Sequence, residues 1–251
     1  MISLFQIVYK KTRSFYHKIK FYYSVNWTKT LYFNFKKFPI EIAKKLPVFF
    51  YGKVKFTSIK GEVIIVGNVK RGMIGFGQPY EMNTMHKGIA EVFIEGKMIF
   101  NGHVQFGKDY FIYLAQGGFC EFGHMASLGS NGKLICIEKV SLGDYCRIGS
   151  ESQIIDSNFH QMIDSKTGEK FKITNPICLG KFNYFGNRVS IMQKTVTPNY
   201  CTIASNSLCN KNYSSFGENV LIGGIPAKHL KSNISRDWEG EEEQLKIIMK
   251  A

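Results

Sequence analysis

Six histidines are spread along the chain, and one of them differs from the rest in its neighbours. His160 ends the run Ile154-Ile-Asp-Ser-Asn-Phe-His160, so Asp156 and Asn158 precede it closely. An imidazole with an unperturbed pKa of about 6.5 can take a proton from a hydroxyl near neutral pH and give it back. A carboxylate or a backbone carbonyl on the second ring nitrogen would fix the useful tautomer, and Asp156 is the first candidate for that role. Asp156 or Asn158 could instead hold the molecule acted upon. His17, His86, His103, His124 and His229 have no comparable setting; His86, His103 and His124 read most simply as surface or capping residues.

The cysteines point away from metal chemistry. Cys120, Cys136, Cys146, Cys178, Cys201 and Cys209 form no C-x-x-C pair, so no structural zinc site is indicated. They read as small buried thiols, and no metal is expected.

What positions His160 is a repeat. Ile94, Phe100, Phe106 and Ile112 are spaced by six, as are Met98, Val104 and Tyr110 in a second phase. The first phase returns at Cys136, Leu142, Ile148 and Ile154, and the second at Phe122, Leu128, Leu134, Val140 and Cys146. Past His160 the spacing resumes in a new register through Leu179, Phe185, Ile191, Thr197, Ile203 and Cys209, with small companions Val189, Thr195, Cys201 and Ser207. A helix repeats near 3.6 and a simple strand at 2, so neither accounts for a sustained six. A triangular parallel β-coil does, with one short strand and one turn per side. Large aliphatics point inward, small residues sit at the corners, and the glycines of Phe106-Gly107, Leu142-Gly143 and Ile148-Gly149 admit the backbone angles of the turns. A β-sandwich with evenly spaced strands is the competing architecture. The stretch from Asn158 to about Pro176 interrupts the repeat, and an excursion from so stiff a scaffold is a candidate functional loop.

Two segments carry a family resemblance. Gly180-Lys-Phe-Asn-Tyr-Phe-Gly186 opens the last block of repeats, and Asn219-Val-Leu-Ile-Gly-Gly-Ile-Pro-Ala-Lys228 closes it. With the repeat itself, they resemble the hexapeptide-repeat acyltransferases, which are left-handed parallel β-helices. The resemblance covers roughly residues 90–232 and lies nearest the sugar and polysaccharide O-acetyltransferases. It implies transfer of acetyl from acetyl-CoA to a sugar hydroxyl, with His160, at the start of the loop, as the catalytic base. A backbone N–H would stabilise the oxyanion, and no covalent enzyme intermediate is needed.

The same resemblance implies a homotrimer with the donor lying between neighbouring β-helices. It points to Asn187 and Ser190 near the thioester, Ala204 and Ser205 along the pantetheine arm, and Lys211 and Lys228 near the phosphates. For the two serines plain corner packing is the alternative, and for the two lysines simple solvation. Many family members have Trp where Tyr184 stands, so that contact would differ.

Charge is concentrated at the start. Residues 1–60 hold thirteen Lys and Arg against Glu41 alone, within a formal net charge of +14. Residues 1–25 could form a basic amphipathic helix, either lying on an anionic membrane or covering the end of the coil. Alternation of Leu31, Phe33 and Phe35 predicts a strand over Thr28 to Phe38; Pro39 to Leu46 suits a short helix; Val63 to Val66 suits an early, irregular coil. The expected organisation is a capping or membrane-proximal region over 1–89, the β-helix over 90–232 with its excursion at 158–176, and an acidic, helical tail over 233–251. With no apolar run near the ~20 residues of a membrane span and no signal-peptide pattern, a cytoplasmic protein is expected, in contact with the inner membrane at most.

Other functions fit less of the sequence. An N-acyltransferase for an amino-sugar nucleotide would differ only in its acceptor. A non-catalytic β-helix scaffold needs none of the polar residues. A zinc carbonic anhydrase of this fold needs converging imidazoles, and the histidines here are dispersed. No nucleic-acid motif accompanies the basic segment.

Overall fold

The structure, a computed structural model, describes Ile19, residues 22–78, residues 88–241 and Glu243. Most of the basic segment over residues 1–25, with His17, lies outside the described residues, as do His86 and the tail beyond Glu243.

Among the described residues the strands form three sheets of nine, seven and five strands, and the chain visits them in turn. Sheet I includes Val48–Phe50, Ile74–Phe76, Val104–Phe106, Ala126–Leu128, Arg147–Ile148, Tyr184–Phe185, Cys201–Ile203 and Val220–Gly223. Sheet II includes Val54–Ser58, Ala90–Ile94, Phe111–Leu114, Lys133–Cys136, Gln153–Ile155, Ser190–Met192 and Leu208–Cys209. Sheet III runs from Glu62–Ile65 to Ile177–Leu179. Pairing between the strands of these sheets is parallel except for the last strand, Lys228–Ser232, which folds back antiparallel on Val220–Gly223. This is the parallel β-helix of hexapeptide repeats that the sixfold spacing predicts.

The repeat is the core. Val92, Ile112, Leu134, Ile154, Ile191 and Cys209 stand in register along sheet II and are fully buried. Phe50, Phe76 and Phe106 stack along sheet I with ring centroids 4.9 and 4.3 Å apart. Each large side chain removed from water this way contributes roughly 1.5–3 kcal/mol, before the entropy of ordering is subtracted.

The corner glycines act differently from the expectation. Gly107, Gly143 and Gly149 do not adopt positive φ; a Cβ there would come within 2.3 to 2.7 Å of the next coil. They are needed for close stacking of coils. The left-handed angles fall to non-glycine residues instead, among them Asp109, Asn131, Tyr145, Glu151, Phe182, Arg188, Tyr200 and Asn206.

The coil begins earlier than residue 90. The strand Val48–Phe50 already pairs with Ile74–Phe76, and Glu62–Ile65, overlapping the segment Val63 to Val66 read as an irregular early coil, pairs regularly with Lys97–Phe100. Longer connections between these early sides hide the period in the sequence.

A helix covers the first coil where a strand was expected. Helix α1, Trp27–Lys37, is capped by Asn26, whose side chain accepts from the Lys29 N–H at 3.2 Å. Lys36 and Lys37 complement its C-terminal dipole. Phe38 is extended before Pro39, which ends the helix, and the short helix α2, Ile40–Ala43, follows as predicted. The alternation of Leu31, Phe33 and Phe35 is misleading because only Phe33 packs inward, together with Thr30 and Asn34. Asn34 exchanges hydrogen bonds with the Val48 backbone, its Oδ1 accepting at 3.2 Å and its Nδ2 donating at 2.7 Å. Thr30 Oγ1 accepts from the Phe50 N–H at 3.0 Å, and the Asn26 N–H donates to the Phe50 carbonyl at 2.8 Å. The open edge of the first strand is thus satisfied by polar groups of the cap.

Candidate active site

Sheet II and its two bordering corners carry most of the residues that the sequence singles out. The first corner, where sheet I passes into sheet II, holds Asn187, Ala204 and Ser205. Ser190 stands on sheet II itself. The second corner, where sheet II passes into sheet III, releases the excursion with Asn158 and His160, and two coils later holds Lys211.

The excursion is a narrow two-stranded arm. Ser157 bridges Thr174, Ile163 bridges Lys170, and Asp164 closes the tip by accepting from the N–H groups of Lys166 and Thr167. Phe159 adopts a left-handed φ of 60°, its N–H bonded to Ser157 Oγ at 2.9 Å, and the His160 N–H donates to the Asn158 carbonyl at 2.7 Å. This tight bend sets His160 on the exposed side of the arm. Its ring makes no hydrogen bond to any described residue.

Asp156 does not orient that ring. It is fully buried, with Oδ1 accepting from the Ile137 N–H and Oδ2 from the N–H groups of Glu138 and Lys139, all at 2.8 Å. Its carboxylate is committed to the corner of the preceding coil, which matches a buried anion to convergent donors. The position stays next to the site, but its work in this chain is to anchor the arm. The far strand of the arm is tied to the same corner: Thr174 Oγ1 donates to Glu138 Oε2 at 2.7 Å, and Lys172 Nζ to Glu138 Oε1 at 3.0 Å. These two bonds, Thr174 first, hold the Glu138 carboxyl below its usual range.

Beneath the arm lies an open cleft of about 460 Å³, lined by Gln153, Asn158, Ser190, Lys194 and Asn210 among others. Asn158 and Ser190 were expected near the reaction; Gln153, Lys194 and Asn210 were not. No sixfold position specifies them, because they sit on outward strand faces and corners that the repeat leaves free. Gln153 Nε2 donates to Ser190 Oγ at 3.0 Å, so that hydroxyl keeps its own proton to offer.

The remaining donor candidates divide by their partners. Asn187 Oδ1 accepts from the N–H and hydroxyl of Ser150 at 3.1 and 3.3 Å, and Ser205 Oγ accepts from the Asn187 N–H at 3.1 Å. Both side chains therefore brace the first corner, while Asn187 Nδ2 has no acceptor among the described residues. Ala204 is tied through its N–H to the Ile222 carbonyl. Lys211 is exposed, its Nζ 5.6 Å from the Tyr213 ring centroid, and Lys228 is exposed at the start of the last strand. Neither lysine pairs with a carboxylate among the described residues. The Ala227 N–H donates to the Leu208 carbonyl, which brings Lys228 beside a residue of the cleft.

Tyr184 lies elsewhere. It faces out of sheet I, under the Arg236 guanidinium at 5.2 Å, in a second cleft of about 440 Å³ with Thr202, Ile234, Ser235 and Glu241. The chain after the last strand lies against this face, and residues 238–241 are helical. Trp238 is buried against Met125, Tyr145, Phe182 and Tyr200.

Two of the histidines read as dispersed meet at the third corner, where sheet III passes into sheet I. The His103 and His124 rings are 5.8 Å apart, and His124 Nδ1 accepts from the His103 N–H at 3.3 Å, a capping role. Burial, the neighbouring imidazole and Lys70 hold His103 below its ordinary pKa. Burial lowers His124 too, against the opposing charge of Asp144. Among the described residues no three His, Cys, Asp or Glu side chains converge as a metal site.

No protein-family model and no curated protein matches the chain. Among solved structures, the polySia specific acetyltransferase NeuO is similar at 19% identity over 76% of this chain and 78% of that chain, with a TM-score of 0.48. AntD, an N-acyltransferase from Bacillus cereus in complex with dTDP and 3-hydroxybutyryl-CoA, is similar at 14% identity over 85% of this chain and 97% of that chain, with a TM-score of 0.44. The polysialic acid O-acetyltransferase OatWY is similar at 16% identity over 74% of this chain and 87% of that chain, with a TM-score of 0.31.

Proposed function

We infer that the protein is an acyltransferase that moves the acetyl group of acetyl-CoA to a hydroxyl of a sugar or glycan, with His160 as general base, in the assembly of a polysaccharide. The observation that carries this reading is the arm over residues 158–176: it interrupts the coil between Gln153–Ile155 and Ile177–Leu179, and it brings Asn158 to a cleft that Ser190 also lines, with His160 exposed two residues further on.

The chemistry asks little more of the chain. The acceptor oxygen attacks the thioester carbonyl carbon while its proton passes to the free imidazole nitrogen. The tetrahedral oxyanion collapses, the C–S bond breaks, and the coenzyme sulfur leaves with the proton from the imidazolium. An ester and a free thiol result. Asn158 would hold the acceptor, and Asn187 Nδ2 and the Ser190 hydroxyl are donors available to the acyl end of the donor. Ala204 and Ser205 would border the pantetheine arm, and Lys211 and Lys228, which pair with no carboxylate among the described residues, would meet its phosphates as point charges.

One chain leaves the site open, with His160 facing solvent. A base used on a thioester works better where water is excluded. A homotrimer, in which a neighbouring β-helix closes sheet II, would supply that wall. The outward row Phe93, Tyr113, Ile135, Ile155 and Met192 is an apolar ladder suited to such a contact.

The test is thiol release from acetyl-CoA against a panel of sugars and lipid-linked glycans, for wild type and His160→Ala. Acceptor-dependent release that falls by about 10²–10⁴ in the variant supports the assignment. Equal release by both proteins removes His160 as base, and release only with amino sugars replaces the hydroxyl acceptor by an amine.

A further inference from the structure

The cap helix α1 is apolar on two sides. Its coil-facing side carries Phe33 between Thr30 and Asn34, because what it covers is both the core and a strand edge with backbone groups to satisfy. Its opposite side carries Leu31 and Phe35, 43% and 50% exposed. Tyr22, Tyr23, Tyr32 and Ile40 are exposed around it. An ordinary surface helix buries its apolar stripe and solvates the rest; here Phe33 is buried on the β-helix and a second apolar face, with Leu31 and Phe35, is left for something else.

Charge says what that is. Lys36, Lys44 and Lys45 are exposed on α1 and just after α2, against the single acid Glu41. In the sequence, the residues before 22 add Lys10, Lys11, Arg13, Lys18 and Lys20 and no acid. Aromatic and aliphatic side chains ringed by lysines match the headgroup region of an anionic bilayer, where tyrosine rings sit at the boundary and cations meet phosphates. No helix among the described residues is long and apolar enough to cross a membrane, so the contact would lie in the interface plane.

We propose that the cap end of the β-helix, formed by Leu31, Phe35 and the surrounding tyrosines and lysines, is a docking surface for an anionic membrane. The coil axis then stands away from the bilayer. The surface is separate from the cleft under the arm and does not depend on the reaction assigned to that cleft.

The experiment is flotation of the full chain with vesicles of phosphatidylcholine, with and without phosphatidylglycerol. The expected result is binding only to the anionic vesicles, weakened by salt. Leu31→Ser with Phe35→Ser abolishes flotation without lowering the unfolding midpoint, since both side chains are exposed. Lys36→Gln with Lys44→Gln and Lys45→Gln weakens partition by on the order of a hundredfold, at about fivefold per charge. No flotation of wild type overturns the proposal. So does flotation untouched by both variants, which would place the contact elsewhere in the chain. Light scattering that shows wild type, but not the serine variant, self-associating without vesicles would also overturn it, by making the face a contact between copies.

Discussion

Asp156 and Glu138 work from opposite directions on one joint: the Asp156 carboxylate receives the Glu138 backbone N–H at 2.8 Å, while the Glu138 carboxylate receives Thr174 and Lys172 from the returning strand of the arm. The arm that carries His160 is therefore fixed at its root on both strands, although its tip stands in solvent.

The inner half of this joint is the stronger. Replacing Asp156 by Ala would leave the Ile137, Glu138 and Lys139 N–H groups buried without an acceptor, at a cost of about 3 kcal/mol or more. Asp156→Asn keeps one acceptor oxygen and should lose less. Chemical denaturation monitored by circular dichroism measures the ranking; an Asp156→Ala protein as stable as wild type would exclude the anchoring role.

The outer half is exposed and weak as an ion pair, under about 1 kcal/mol. Glu138→Gln should leave global unfolding nearly unchanged. Its effect should appear as faster backbone hydrogen exchange confined to residues 158–176, read by mass spectrometry. Protection equal to that of wild type would mean that the arm is held by its backbone bridges alone.

The imidazole pair at the third corner makes a pH prediction. His103 and His124 both resist protonation in the folded chain, chiefly through burial. The unfolded chain binds those protons first, so the pair's contribution is complete above about pH 6.5 and is lost as the pH falls through and below it. The carboxylates Asp144 and Glu138, held low, give up their contributions only in a lower window, near and below their ordinary values of 3.8 and 4.5. Replacing both histidines by Gln should flatten the slope of stability between about pH 7 and 5 while leaving the acid limb in place. A slope unchanged in that double variant contradicts the assignment.

Burial also governs the thiols. It raises Cys120 and Cys146 well above the ordinary range and pushes Cys201 and Cys209 up to about 12. Since the thiolate is the reactive form, iodoacetamide at neutral pH should modify Cys178, the half-buried one, and spare the other five until the chain unfolds. Peptide mapping before and after denaturation decides it.

The sixfold spacing made the coil legible because each inward position must be large and apolar whatever the chemistry outside. Ile94, Phe100, Phe106 and Ile112 are all fully buried, as are Leu134, Val140 and Cys146. Four features escaped for four physical reasons. The coils before residue 90 have connections of uneven length, so no period survives. Helix α1 hides its type because Thr30 and Asn34 face inward to serve backbone groups, and polar inward residues break the helical hydrophobic pattern. Asp156 read as a partner for His160 because sequence proximity cannot distinguish a side chain that points along the arm from one that points back into the coil. The cleft residues Gln153, Lys194 and Asn210 escaped because the repeat constrains only alternate positions.

The way the coil ends has a consequence for the cell as much as for the molecule. A stack of parallel strands is a template that can go on growing, and an uncovered rung would accept a rung from the next chain. Asn34 and Thr30 occupy the hydrogen-bonding groups of Val48 and Phe50 that such a rung would need, and at the other end the chain reverses its last strand on sheet I so that the parallel pattern stops. Length is thus fixed from within: a protein built like a segment of fibre stays a particle of one size, and a chain with Asn34 replaced by Ala should show concentration-dependent filaments where wild type shows none.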